Sequence, residues 1–406
     1  MSLFVSLQGI LFGITGLLLV YLALLSVLAI IERSQTVPVS ERFRQFAILI
    51  PAHNEEIPIR NTLQSLNNIN YPEDNYTIFV IADNCTDDTA AIARSSGANV
   101  WERTDTTHRG KGYALRWAFQ QILASPSRYD AVVVIDADSR ALPNVLHVMN
   151  NHLEDGAQAI QGYVAIEPNS GVWSSEITRL GYTLHNYVRP LGKRALGFPS
   201  GLHGIGMCFT PEVLRSVPWE AYSTTEDLEY GLHLLLQGIE VRFAPELVGY
   251  STLPEKIKHA SSQRERWEFG RFPLIRKYAA QLLAAAFQRR SLRYLDAFAD
   301  LVMPPLMNLL MLAGMMGVGN SLLYALNVMD AGVFAWGWFC LIGIGLIHLI
   351  GGLTAAYADL GLYRAVFYVP LYALWKLGLY MKVLIRGSSK EWVRTTREDP
   401  TLPKSV

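Results

Sequence analysis

The pattern of apolar and polar positions divides the chain into an apolar N-terminal segment, a mixed central region and a largely apolar C-terminal region. Residues 5–31 are almost uninterruptedly apolar, and a helix needs only about 20 such residues to cross a bilayer. Three arginines follow between residues 33 and 44, and basic residues favour the cytoplasmic side. A cleaved signal peptide is the alternative, but residues 1–6 lack its basic start. We therefore predict a transmembrane helix that leads into the cytoplasm.

Short runs of β-branched and other apolar residues recur through the central region, and each run is followed by polar residues. Such runs are typical of strands that are buried on both faces of a parallel sheet. Between them lie apolar residues at helical spacing, as at Leu63, Leu66 and Ile69. Alternating strands and helices predict an α/β domain with a largely parallel sheet. The predicted strands are residues 46–51, 76–82, 99–101, 131–135 and 157–164.

The strand at residues 131–135 ends abruptly at two carboxylates, Asp136 and Asp138. Ligands of open α/β sheets bind beyond the carboxyl ends of the strands. Carboxylates two residues apart can converge on one hard cation, which takes its other ligands from water and phosphate oxygens. This pattern predicts a site for a divalent metal and a diphosphate. The alternative is an acidic turn that only ends the strand.

Two further polar positions follow neighbouring predicted elements. Asp83 comes at the end of the strand at residues 76–82, where its carboxylate can accept hydrogen bonds from a base or ribose, or simply occupy a turn. Lys111 lies between glycines at a predicted helix start, which suits the close approach of an anion, although a basic loop is the alternative. The spacing around Lys111 is not that of a Walker A loop, and no dinucleotide-binding glycine fingerprint follows the first strand.

Two acidic residues and a glycine-rich turn lie further along the chain. The glycines of residues 200–208 allow a backbone to approach a ligand closely. Thr225 is a potential N-cap, which places Glu226 and Asp227 at the positive end of the following helix. Simple helix capping is the alternative explanation for these carboxylates.

A later helix carries three polar or aromatic side chains on one face: Gln263, Arg266 and Trp267. A tryptophan can stack on a sugar while a neighbouring arginine contacts a phosphate. An amphipathic surface helix at the membrane is the alternative.

Charge and cysteine content narrow the possible functions. Lysine and arginine together number 35, as do aspartate and glutamate, so bulk charge gives no indication of a nucleic-acid partner. The three cysteines are too few and too scattered for a disulfide framework or a zinc site.

Taken in order, these motifs resemble those of the membrane-integrated family 2 glycosyltransferases, which include cellulose, hyaluronan and chitin-oligosaccharide synthases and enzymes that glycosylate ceramide. The motifs span about residues 46–272. Each is weak alone, but their order makes the resemblance specific. The matching residues are 51–55 (PAHNE), Asp83, Lys111, Asp136 with Asp138, 225–227 (TED), and Gln263, Arg266 and Trp267 (QxxRW).

The resemblance implies an inverting enzyme with a GT-A-type, Rossmann-like α/β domain of mostly parallel sheet, flanked by transmembrane helices. It implies a nucleotide-diphosphate sugar as donor, most often a UDP-sugar, with Asp227 as general base and Mg²⁺ or Mn²⁺ held by Asp136 and Asp138. His53 stands where several of these synthases carry tyrosine. The implied nucleotide-sugar site comprises Ala52, His53, Glu55, Asp83, Lys111 and Asp136, and the implied diphosphate and acceptor site comprises Glu226, Gln263, Arg266 and Trp267.

The C-terminal region contains further membrane segments. Residues 273–287 suit an interfacial helix, residues 301–326 and 333–357 are predicted spans, and residues 365–385 are a weaker segment broken by proline and lysine. Basic residues near the C-terminus favour the cytoplasm, so we expect the weaker segment to be re-entrant or interfacial. The expected regions are 1–34 (transmembrane helix), 43–272 (cytoplasmic catalytic domain), 273–296 (interfacial helices), 297–388 (transmembrane region) and 389–406 (basic tail).

The sequence leaves three functions open. The favoured one is transfer of a single sugar to a lipid or lipid-linked acceptor by a multi-pass enzyme of the plasma (inner) membrane. The second is processive synthesis and extrusion of a β-linked polysaccharide. The third is a sensor that binds a nucleotide sugar without turnover. The expected partners are the donor, a lipid or glycan acceptor and membrane lipids, and no nucleic acid.

Overall fold

A computed structural model describes residues 2–33, 37–168, 173–251, 270–328 and 331–386. These residues fall into two compact units. The sheet unit is drawn from residues 35–167 and 198–301, and the helical unit is drawn from residues 1–34, 168–197 and 302–391.

An eight-stranded sheet organises the sheet unit, in the spatial order β3-β2-β1-β4-β7-β6-β8-β5. The strands β3, β2, β1 and β4 run parallel, as do β6 and β8. The strand β7 is antiparallel to both of its neighbours, and β5 is antiparallel to β8. The mostly parallel α/β sheet predicted from the sequence is confirmed. The strands are β1 (Phe46–Ala52), β2 (Tyr76–Asp83), β3 (Asn99–Arg103), β4 (Ala131–Val134), β5 (Ser139–Ala141), β6 (Ala159–Ile166), β7 (Met207–Phe209) and β8 (Val241–Ser251).

Helices cover both faces of the sheet, which is why its central strands are apolar throughout. Ile48 and Val133 pack on one face with Leu63, whereas Leu49 and Val134 pack on the other. The helices of this unit are α2 (Ile59–Leu66), α3 (Thr89–Ser95), α4 (Lys111–Ala124), α5 (Val145–Glu154), α8 (Pro211–Ser216), α9 (Glu226–Leu236), α10 (Arg271–Gln288) and α11 (Leu292–Val302).

The parallel arrangement brings the loops after β1, β2 and β4 to one edge of the sheet. Asn54 and Asn84 follow the first two strands with positive φ angles of 56° and 52°, a conformation that asparagine tolerates better than most residues. The Asn54 side chain accepts a hydrogen bond from the Thr86 amide at 2.7 Å, which joins the loop after β1 to the loop after β2. The polar residues that end these strands are therefore held on a fixed edge.

Among the described residues of the helical unit, three helices are long and apolar enough to cross a membrane: α1 (Ser2–Glu32), α12 (Leu306–Ala325) and α13 (Gly332–Ala355). The second begins at Leu306 rather than near residue 301, because Pro304 and Pro305 precede it and disfavour helical continuation. Over the described residues, α15 is not among these candidate spans. The helices are α1 (Ser2–Glu32), α6 (Trp173–Thr183), α7 (Arg189–Ala195), α12 (Leu306–Ala325), α13 (Gly332–Ala355), α14 (Leu360–Ala365) and α15 (Val369–Arg386).

A helical segment between β6 and β7 belongs to the helical unit. The sequence pattern does not predict that this segment leaves the sheet unit. Its helices α6 and α7 are joined by a π-helical turn at Leu184–Val188. Gly192 allows close packing of α7 on α1, since a Cβ there would overlap the Leu25 carbonyl. At the end of α1, Arg194 pairs with Glu32 at 2.8 Å.

This close packing predicts a large effect of one methyl group. Gly192→Ala is expected to lower the stability by about 1–3 kcal/mol, because backbone must move to accept the added carbon. Gly181→Ala is the matched control, since Gly181 lies in α6 and a Cβ added there would meet no atom within 4 Å; it should stabilise the helix by roughly 0.5–1 kcal/mol. Thermal unfolding in detergent measures both, and equal midpoints would contradict the packing described here.

Candidate active site

A lysine lies among carboxylates at the polar edge of the sheet. Lys111 is the first residue of α4, and its Nζ lies 2.6 Å from Asp136 Oδ1 and 3.4 Å from Glu226 Oε1. The same Nζ donates a hydrogen bond to the Gly204 carbonyl at 3.3 Å. Four segments that are distant in sequence therefore meet at one ammonium group.

Asp227 lies beside this cluster at the start of α9. A Cβ added to Gly204 would lie 3.1 Å from Asp227 Oδ2 and 3.6 Å from Lys111 Nζ, so the glycine leaves open the space beside both groups. Asp227 Oδ1 accepts a hydrogen bond from the Leu228 amide at 2.7 Å. Thr225 occupies the N-cap position, as predicted, but its side chain makes no capping hydrogen bond.

Burial and mutual repulsion shift the titration of these carboxylates. Burial raises the pKa of Asp136 to about 6 against the opposing charge of Lys111. Burial, followed by the charge of Glu226, raises the pKa of Asp227 to about 7. Burial alone would lower the pKa of Lys111, but the charges of Asp136 and Glu226 outweigh it and raise the pKa. The result is a protonated lysine beside a carboxylate whose pKa suits general-base chemistry near neutral pH.

The carboxylates at the end of β4 fit a metal that binds together with its substrate. Among the described residues, no three His, Cys, Asp or Glu side chains form a ready-made metal cluster. Asp136 and Asp138 nevertheless supply hard oxygen ligands at the strand end, which Mg²⁺ and Mn²⁺ prefer. Two carboxylates are sufficient where phosphate and water oxygens complete the coordination.

A second group of residues surrounds Asp83, whose carboxylate pairs with Arg103 at 2.5 Å. Both side chains are more than nine-tenths buried. Arg103 also donates to Asp105 and to the His108 carbonyl, each at 2.9 Å. Arg103 was not among the residues predicted from the sequence. The feature that identifies Arg103 is the parallel pairing of β2 with β3, because this register places residues 83 and 103 side by side.

The loop after β1 completes this second group. His53 Nδ1 lies 2.7 Å from the Asp83 carbonyl, and the Glu55 amide donates to Thr89 Oγ1 at 2.8 Å. Ala52 is buried at the strand end. The structure thus places Ala52 and His53 beside the end of β2 at Asp83, and Glu55 follows on the same loop, where it contacts Thr89. It places Lys111 with Asp136, Glu226 and Asp227. Gln263, Arg266 and Trp267 lie outside the described residues.

Packing joins the start of α4 to the loop before α9. Gly112 lies directly against the Ala221 carbonyl, where a Cβ would overlap it. The next residue, Tyr113, stacks on Tyr222 with ring centroids 4.2 Å apart. These contacts fix the distance between Lys111 and the carboxylates of α9.

Glu229 holds the same loop from inside α9. Its carboxylate accepts hydrogen bonds from the amides of Tyr222 and Ser223 at 3.2 and 3.1 Å. It also pairs with Lys277 of α10 at 2.8 Å. Glu229 was not predicted from the sequence, because its helical position alone does not reveal these backbone contacts.

Comparison with known proteins identifies relatives of the central region. The family model described as "Glycosyltransferase like family 2" matches residues 44–270, which is more than half of the chain. The probable glycosyltransferase YdaM of Bacillus subtilis is 26% identical over 247 residues, or 58% of this chain and 57% of the relative. A poly-β-1,6-N-acetyl-D-glucosamine synthase of Staphylococcus epidermidis is 25% identical over 55% and 54% of the two chains.

A β-monoglucosyldiacylglycerol synthase of Nostoc sp. is 28% identical over 55% of this chain and 48% of the relative. The chain therefore spans about half the length of the curated relatives that it matches. Among solved structures, the mannosyltransferase PcManGT from Pyrobaculum calidifontis, in complex with GDP-Man and Mn²⁺, superposes with a TM-score of 0.51 at 17% identity. That match covers 85% of this chain and 97% of the other, and it confirms the predicted GT-A-type fold.

The buried ion pair of Arg103 gives a prediction for stability. Arg103→Met should leave the Asp83 carboxylate buried without its cation, at a cost on the order of 3–5 kcal/mol. Arg94→Met is the matched control, because Arg94 pairs with Glu102 where both side chains are more than half exposed, and such pairs contribute roughly 0–1 kcal/mol. Thermal unfolding of both variants checks this, and a midpoint for Arg103→Met no lower than that of the control would be the contrary result.

Proposed function

The chain belongs to the glycosyltransferase-like family 2, and we propose that it is an inverting enzyme that transfers a hexose from a UDP-sugar to a lipid or lipid-linked acceptor in the membrane. The observation that carries this proposal is the convergence of Asp136, Glu226 and Asp227 around Lys111 at the carboxyl edge of a GT-A-type sheet. This arrangement provides a base, a cation and metal-ligating carboxylates within one site.

Asp227 is the proposed general base. The acceptor hydroxyl loses its proton to the Asp227 carboxylate as its oxygen bonds to the anomeric carbon. The bond from that carbon to the diphosphate oxygen breaks on the opposite side, and the electron pair leaves with the nucleotide diphosphate. Attack opposite the leaving group inverts the anomeric centre, so an α-linked donor gives a β-linked product.

The leaving diphosphate carries negative charge that the site must offset. Lys111 supplies a fixed positive charge beside Asp136, and by resemblance Arg266 supplies another. Asp136 and Asp138 are the proposed ligands of Mg²⁺ or Mn²⁺, which neutralises charge on the diphosphate when it is bound. By the same resemblance, Gln263 and Trp267 contact the diphosphate and the acceptor sugar.

The nucleotide is proposed to bind at the second group of residues. Asp83 offers a carboxylate to the base or ribose, and Arg103 fixes one of its oxygens at 2.5 Å. His53 and Glu55 lie on the adjoining loop, and Ala52 ends the strand beneath them. This group therefore selects the nucleotide, while the Lys111 cluster performs the chemistry.

The helical unit supports a membrane acceptor and a multi-pass enzyme of the plasma membrane. Three helices in the part of this unit that the structure describes are candidate spans, and a relative is named for synthesis of a glucosyldiacylglycerol. The arginines that follow α1 favour a cytoplasmic sheet unit. A passage for a hydrated polysaccharide would need polar, protein-lined surface across the bilayer, whereas the candidate spans among the described residues are predominantly apolar.

Processive synthesis of a β-linked polysaccharide is the second candidate, since another relative is named as a poly-N-acetylglucosamine synthase. A sensor without turnover is the least supported, because binding alone has no use for a carboxylate tuned as a base.

Removal of the base gives the first test. Asp227→Asn should reduce transfer by about 10²–10⁴-fold, the usual contribution of a positioned base, while UDP binding stays close to that of the wild type. Asp155→Asn is the matched control, because Asp155 is exposed at the end of α5. Turnover is measured with radiolabelled donor and binding by calorimetry with UDP. Full turnover by Asp227→Asn would remove this residue from the base role.

The product identifies the acceptor class. Proteoliposomes of the wild type are incubated with a panel of radiolabelled UDP-sugars in Mg²⁺, Mn²⁺ or EDTA. We expect one organic-soluble product of fixed size, and its loss in EDTA because the diphosphate charge is then no longer neutralised. A high-molecular-weight ladder would instead establish processive synthesis. Undiminished transfer in EDTA would contradict the metal assignment.

A further inference from the structure

Gln161 lies on β6, outside every motif of the proposed mechanism, and its side chain is almost fully buried. Its Oε1 accepts a hydrogen bond from the His203 amide at 2.8 Å. Its Nε2 donates to the carbonyls of Ile205 at 2.7 Å and Gly162 at 2.9 Å. Three backbone groups, two of them in the loop that leads into β7, are therefore held by one amide.

This loop is the one that contacts the Lys111 cluster. It comprises residues 203–206, which we call the amide-held loop. Its Gly204 carbonyl accepts from Lys111 Nζ, and its Gly204 Cα lies close to Asp227, since an added Cβ would be 3.1 Å from Oδ2. The two loop residues that Gln161 contacts, His203 and Ile205, lie directly before and after Gly204 in the chain.

The amide-held loop contains two glycines in a left-handed conformation and is bonded to the sheet at both of its ends. Gly204 and Gly206 both have positive φ angles, of 83° and 72°. The loop is anchored at its far end, where Gly206 donates to the Val134 carbonyl at 3.0 Å and accepts from the Gly162 amide at 2.8 Å. At its near end, the amide of His203 bonds to Gln161.

A side-chain amide with the length of glutamine supplies every hydrogen-bonding partner that these three backbone groups require. The carbonyls of Ile205 and Gly162 require a donor, and the His203 amide requires an acceptor. A carboxylate supplies no donor, and an apolar side chain supplies neither. Because buried backbone groups are strongly disfavoured without partners, loss of this amide should let the loop move.

We propose that Gln161 is a positioning residue for the transfer reaction. Its amide sets the amide-held loop so that the Gly204 carbonyl holds Lys111 and the absent side chain of Gly204 leaves room beside Asp227 for the acceptor hydroxyl. The proposal rests on the proposed glycosyl transfer. If Gln161 only stabilised the fold, its loss would affect both groups of residues. A positioning role predicts instead that its loss slows the catalytic step and leaves the nucleotide site at Asp83 unchanged.

The test compares Gln161→Met, which keeps the side-chain length and removes the amide, with Gln158→Met on the same stretch, where the side chain is exposed. Both are assayed with the donor and acceptor that the wild type uses. For Gln161→Met we expect kcat to fall by about 100-fold, the effect of a misplacement of about 1 Å. The Kd for UDP should change much less, because the proposed nucleoside contacts at Asp83 are kept and only the contact of Lys111 with the diphosphate is disturbed. Hydrogen exchange in the peptide 200–209 should rise. Gln158→Met should match the wild type in all three.

Wild-type kcat together with unchanged exchange in Gln161→Met would overturn the proposal, as would equal losses of kcat and UDP affinity. If Gln161→Met does not fold, Gln161→Asn is used instead, because it keeps the amide on a side chain one methylene shorter. Its kcat is expected to fall in the same way but by a smaller factor. Failure of both to fold would assign Gln161 a purely structural role. An inactive wild type would refute the proposed transfer and not the loop contact, because UDP binding and exchange are measured without turnover.

Discussion

The attraction between one lysine and the carboxylates around it holds the candidate site together. Asp136 follows β4 and Glu226 begins α9, and their like charges repel each other. Lys111 lies between them, within ion-pair distance of both. Its position is set in turn by Gly112, which lets α4 approach the loop before α9. A small residue beside the lysine is thus as necessary to the site as the charges themselves.

The cluster keeps a surplus of negative charge, because Asp136, Glu226 and Asp227 surround a single ammonium group. A diphosphate brought to these carboxylates alone would meet repulsion. The same surplus attracts a divalent cation, for which Asp136 and Asp138 offer oxygen ligands. In the proposed mechanism, donor and metal therefore bind as one unit, and the pKa of Asp227 is raised by its burial and by the charge of Glu226.

The sequence predicted the features that depend on local pattern. Continuous apolar runs predict β1 and β4, and the carboxylates after β4 predict a ligand site beyond its carboxyl end. The pattern could not reveal contacts made across strands, such as Arg103 with Asp83, which depend on register. The strand β7 is only three residues long, too short for a periodic signal. The helical segment with α6 and α7 mixes polar and apolar residues, so its membership of the helical unit emerges only from packing.

The residues near the candidate site that the sequence pattern does not predict share a physical role. Arg103, Gln161 and Glu229 are buried polar side chains, and each bonds to backbone groups of a loop that precedes or contacts a motif residue. Buried polar groups are stable only when their partners are in place, so each of them permits few loop conformations. In the proposed mechanism, the motif side chains supply the chemistry, whereas these three side chains restrict where it occurs. Preorganisation of this kind reduces the reorganisation needed during the proposed reaction.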